Sequence, residues 1–159
     1  MKKLTSVFCS IVLMFILVGC ERRHTENLLM DVESYIMERP DSALSVLDTM
    51  NRALLVTDRL KAHHALLHAM ALDKNYIDVT DDSIASVAVE YYSKKGPEKY
   101  KARSLYYLGL SYYYAQEYDK AILEFTKAEK LAERCDSLYW GMILGLQSDI
   151  YNKINVEEE

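Results

Sequence analysis

ARSLYYLGLSYYYAQEYDKAILEFTKAEKLAERC, residues 102–135, decides how the rest of this chain is read. Leu105, Leu108, Gly109 and Tyr112 fall on one face of one helix; Tyr118, Ala121, Phe125 and Ala128 fall on one face of the next. Gly109 and Ala121 are small where two helix axes would cross closely, and Tyr112 and Phe125 are large enough to fill the adjoining gaps. Apolar spacings of three and four continue on either side. Leu28, Val32, Tyr35 and Ile36 make one stripe, and Ala43, Leu44, Leu47 and Met50 make the next. Leu60, Leu67 and Ala71 follow, then Ile84, Val87 and Tyr91. No run alternates with period two between turns, so the spacing predicts an all-α chain.

The breaks between stripes are short and polar. Pro40 and Pro97 each precede an apolar periodic run, as helix starts do. Arg39-Pro40-Asp41 separates the first two helices, and Asp73 to Ser83 separates the third and fourth. In that second break Thr80 is the expected N-cap, with Asp81 and Asp82 at the positive end of the following helix dipole.

The pattern of residues 102–135 resembles the tetratricopeptide repeat, a 34-residue helix–turn–helix with a bulky residue, Leu-Gly and Tyr on its first helix and Ala, Phe and Ala on its second. Leu105 stands where that family usually has Trp, and Glu133 where it often has Pro. Ala43, Leu47, Met50 and Ala85, Val89, Tyr92 repeat the second-helix offsets more weakly. The resemblance implies a solenoid of antiparallel helix pairs over residues 25–159. It also implies a concave groove in which Arg103, Tyr106, Leu110 and Tyr113 face a protein or peptide partner. Tyrosine suits such a role, and the chain holds 13 of them, each combining a large contact area with a polar tip. The alternative is that some of these rings pack against the preceding helix pair.

Lys2 and Lys3 followed by the apolar stretch Val7 to Val18 read as a secretory signal. Leu17-Val18-Gly19-Cys20 resembles the lipobox of bacterial lipoproteins. The likeness implies a signal peptide over residues 1–19 and acylation of Cys20, with residues 20–24 as a membrane-proximal tether. Two or more acyl chains hold a protein durably on a bilayer, so the chain is expected outside the cytoplasm, lipid-anchored on the periplasmic side or at the cell surface. Of three cysteines, Cys9 would leave with the signal and Cys20 would carry lipid, leaving Cys135 as the lone thiol. The fold is then expected to hold by packing alone. Loss of Lys2 and Lys3 moves the formal charge from −5 to −7, which argues against nucleic-acid binding by this segment.

Beyond Cys135, Leu138 to Leu146 opens another first helix that continues through Ile150, Tyr151 and Ile154. Aligned 38 residues after the strong repeat, Ile143 matches Leu105, Leu146 matches Leu108 and Ile150 matches Tyr112. Ile143, Leu146, Ile150 and Ile154 then form an apolar face with no following helix to cover it, although terminal repeats usually turn a polar face outward. Either the chain is a piece of a longer protein or this open end docks onto a partner. Gly141 and Gly145 are expected to serve close helix packing.

His64 and His68 lie four apart and can share a helix face, which makes them a weak metal candidate that no neighbouring acid or Cys completes. There is no nucleophile elbow, phosphate loop or HExxH motif, so no catalytic residue and no cofactor beyond the covalent lipid on Cys20 are expected. A membrane-anchored scaffold for protein or peptide partners is the leading expectation. A truncated sensor region of a membrane-linked transcriptional regulator and a glycan-uptake accessory lipoprotein are the alternatives.

Overall fold

The computed structural model describes residues 23–157. The signal segment and Cys20 lie outside them. Every regular element among the described residues is a helix. α1 covers residues 23–35 and α2 runs Pro40–Thr49. A single 3-10 turn, Arg52–Leu54, leads to α3, Asp58–Lys74. α4 is Ser83–Tyr92, α5 is Glu98–Tyr114, α6 is Tyr118–Cys135 and α7 is Ser137–Glu157. None is long and apolar enough to cross a membrane.

Local chemistry accounts for most of the boundaries. Pro40 occupies the first turn of α2, where its missing N–H costs nothing. Thr57 caps α3 by accepting from the Leu60 amide at 3.2 Å. At α4 the expected cap is displaced. Thr80 plays no such part; the Asp81 carboxylate accepts from the Ser83 amide at 3.0 Å and from the Ser83 hydroxyl. That engagement holds the Asp81 carboxyl below its ordinary value. α3 and α5 end alike. Tyr76 and Gln116 both take left-handed backbone, with φ of 58° and 62°. One residue further on, the Ile77 amide donates to the Leu72 carbonyl at 3.0 Å and the Glu117 amide to the Tyr112 carbonyl at 2.9 Å. These are matching helix-ending motifs that turn the chain sharply after each helix.

From α2 onward each helix packs against the next in sequence, and α3 also touches α5 while α5 touches α7. Thr25, Leu29 and Val32 form the buried stripe of α1, and Ile36 in the turn after it continues the stripe. Ala43 and Leu47 are buried on α2, and Ala85, Ala88 and Tyr92 on α4. α5 sits at the centre. It has packed neighbours in α3, α4, α6 and α7, and Ala102 and the run Ser104 to Ser111 are buried. The tightest approach is at Gly109, where a Cβ would lie 2.7 Å from the Phe125 ring of α6. Ala121, Phe125, Ala128 and Ala132 are fully buried along that contact.

Candidate functional site

α3 and α5 are each 17 residues long and begin 40 residues apart, so His63 and Arg103 occupy the same position in the two helices. Around them a row of polar side chains crosses the odd-numbered helices. Glu33 of α1 accepts from His63 Nε2 at 3.0 Å and from the Tyr100 hydroxyl at 2.7 Å. The Arg103 guanidinium lies 3.9 Å from the same carboxylate and donates through Nε to Asp136 at 2.8 Å. It also sits 4.7 Å above the ring of Tyr139 on α7. The Tyr139 and Tyr107 hydroxyls meet at 2.7 Å. Burial opposes ionisation of Glu33, but the hydrogen bonds from His63 and Tyr100 and the nearby positive charge outweigh it, leaving the carboxyl below its ordinary value. Burial pushes the Tyr139 phenol up to about 12, against the pull of Tyr107 and Arg103. Each of these charged groups has partners on other helices. Such a row fixes how α1, α3, α5 and α7 lie beside one another.

The expected groove residues divide. Tyr106 and Leu110 are buried in the core and present nothing to a ligand. Tyr106 packs edge-on against Tyr107 and Tyr139, with centroids 5.0 Å away in each case, and burial drives its phenol far above the ordinary value. Arg103 is committed to Asp136 and Glu33. Tyr113 is half-buried and donates to Asp149 of α7 at 2.6 Å. α7 takes up three of the four, through Tyr139 against Tyr106 and Arg103 and Asp149 against Tyr113, while Leu110 faces the cleft between α3, α4 and α5. Tyr106 is thus packed within the core, with its ring partners on α5, α6 and α7 rather than on the preceding helix pair. Between α3, α4 and α5, a cleft bounded by Leu72, Ile77, Ile84, Tyr107 and Tyr114 holds about 20 Å³ of free space, room for about one water.

His64 and His68 are buried on α3 with centroids 5.6 Å apart. The Nε2 of His64 donates to the Leu47 carbonyl at 3.0 Å, and that of His68 bonds Asp48 Oδ1 at 2.8 Å. Burial holds the His64 imidazole below its ordinary pKa. Among the described residues no group of three or more His, Cys, Asp or Glu side chains is placed to hold a metal. The pair ties α3 to α2. Cys135 is exposed rather than packed, and its thiol donates to the Leu131 carbonyl.

The expected open-end face of α7 is turned inward. Ile143 and Ile150 are completely buried, and Leu146 and Ile154 pack partly against the same core. The exposed side is the opposite one, carrying Leu138, Gly141, Leu144, Gly145, Ser148 and Tyr151. A Cβ added at Gly141 or Gly145 would meet nothing within 4 Å, so neither glycine serves packing within the described residues. Leu108-Gly109 therefore recurs as Leu144-Gly145, two residues away from the alignment that apolar spacing suggested. In that register buried Ile143 answers buried Tyr107.

The polar row was invisible in the sequence because the groups that pair within it stand thirty or more residues apart. The one available signal was a charged Arg103 set among residues of an otherwise apolar helix face. No protein-family model, curated protein or solved structure matches this chain.

Proposed function

We propose that this chain is a lipid-anchored, extracytoplasmic scaffold of tetratricopeptide-like helical hairpins that binds protein or peptide partners and performs no catalysis. The observation that carries the fold reading is the α5–α6 pair, with the Phe125 ring over Gly109 and Ala121 and Ala128 buried beside it. The α3–α4 pair supports it: Ala69 stands where Gly109 stands on α5, and the turns at Tyr76 and Gln116 share their backbone bonds. The anchoring reading rests on Lys2, Lys3 and the Leu17-Val18-Gly19-Cys20 sequence. The charged groups of the polar row are tied to one another across helices, so recognition falls to exposed helix faces.

The test is expression of the full chain in a bacterial host fed labelled palmitate, beside Cys20→Ser. The expected result is label and membrane partition for the parent chain and neither for the variant. An unlabelled parent chain in the soluble fraction contradicts the anchor. Capture of a defined protein from detergent-solubilised membranes by the parent chain supports the scaffold role.

A further inference from the structure

α7 has two faces, and only one is used. Its inner face meets α5 and α6. The most exposed residues between Ser137 and Asn155 are uncharged, although 27% of the chain is Asp, Glu, Lys or Arg; the charged side chains of Asp149 and Lys153, 46% and 41% exposed, stand at the margin. The neighbouring helix shows the usual condition: Asp119, Lys120, Lys127, Lys130, Glu133 and Arg134 stand on the exposed side of α6. Leu138, Leu144 and Tyr151 are exposed large apolar side chains, at 54%, 40% and 57%. Asp149 and Lys153 flank this face, tied to each other and to Tyr113. From Leu138 to Tyr151 the stripe is about 20 Å long at the helical rise.

The same chain contains a covered version of this surface. On α5, Leu108-Gly109 lies beneath α6, and Phe125 fills the space that Gly109 leaves. On α7, Leu144-Gly145 has the same form with the space vacant. Gly141 replaces Leu105 and Ser148 replaces Tyr112, so the vacant seat is wider than the occupied one. Glycine at successive turns weakens a helix, and no contact within the described residues makes use of the missing side chains.

We propose that the exposed face of α7 is the seat of a partner helix whose contact side is uncharged and sets an aromatic or large aliphatic side chain over Gly141 and Gly145. A helix fits because α6 already covers the equivalent face of α5. An uncharged contact side fits because any charge there would lose its water with nothing opposite to pair it. A bulky side chain fits because the glycine gap otherwise stays empty. A second copy of the chain is the poorer occupant, since it would set glycine gap against glycine gap and bury little apolar area. The surface lies away from Arg103 and the polar row. It follows from the packing alone, whatever becomes of the anchor or of the family resemblance.

The probe is a synthetic peptide of residues 118–135, the helix that covers α5, carrying Glu124→Gln because Glu124 is among the buried residues of that helix, titrated into the purified full chain. Trp140, the sole tryptophan, adjoins the seat, and the peptide contains none. The expected result is a saturable change in Trp140 emission, weakened at least about tenfold by Phe125→Ala in the peptide, as loss of a central anchor should be. Gly145→Arg in the chain should abolish the change while leaving its helical circular dichroism intact, because nothing lies within 4 Å of the new Cβ. Absence of a saturable change, or equal binding by Gly145→Arg, overturns the proposal. So does sedimentation of the parent chain as a dimer that Gly145→Arg dissociates, which would make the occupant a second copy.

Discussion

Gly109 on α5 and Gly145 on α7 each close a Leu-Gly pair, yet one lies under the Phe125 ring and the other faces open space. The first glycine is required by its surroundings. A side chain there would have to displace a fully buried ring. The second has no such excuse within the described residues, and helix propensity argues against it. The difference teaches that a repeated dipeptide reports a seat for a neighbouring helix and not the presence of that neighbour. Whether the seat is filled shows in the distances and in the charge of the exposed surface, not in the two residues themselves.

The contrast breaks most readily at the ring. Phe125→Ala empties a wholly buried site and should cost about 3–5 kcal/mol in urea denaturation, while Tyr151→Ala on the open face should stay within about 0.5 kcal/mol. Comparable losses at both would mean that α7 is covered. Gly109→Ala follows, at about 1–3 kcal/mol, because the ring must move in a packed core.

What the sequence made legible follows from the same contrast. Residues 102–135 gave the helical hairpin and its tight crossing because α6 has one apolar face and one charged face, so its period is unambiguous. α5 and α7 were harder for a physical reason. α5 is buried on nearly every side by four neighbours, and a helix surrounded in that way carries no polar stripe to show which side faces out. Tyr106 and Leu110 therefore looked as available as Tyr113. On α7 both faces are uncharged, so apolar spacing could not tell the inward Ile143 and Ile150 from the outward Leu138 and Leu144. The polar row was beyond periodicity altogether, since Glu33, His63 and Arg103 meet only when separate helices are packed.

That row supplies a test of the covered region that spares its apolar core. Glu33→Gln removes the charge that His63, Tyr100 and Arg103 share and should cost about 1–2 kcal/mol near neutral pH. The pH dependence has a definite sign. Because the folded carboxyl lies below its ordinary value of 4.5, its contribution is complete above that value and disappears as pH falls through the lower folded value. Urea midpoints between pH 7 and pH 3 should decline less steeply for Glu33→Gln than for the parent chain. Equal slopes would remove Glu33 from the account. The smallest expected effect has the opposite sign: Gly145→Ala should stabilise the isolated chain by about 0.5–1 kcal/mol through helix propensity alone.

The most direct measurement sets the two glycines side by side, with urea denaturation of Gly109→Ala and Gly145→Ala under one set of conditions. The packing described here predicts opposite signs, a loss for Gly109→Ala and a gain for Gly145→Ala. A loss at both positions would show that α7 is covered in solution, and a gain at both would show that α6 does not close on α5.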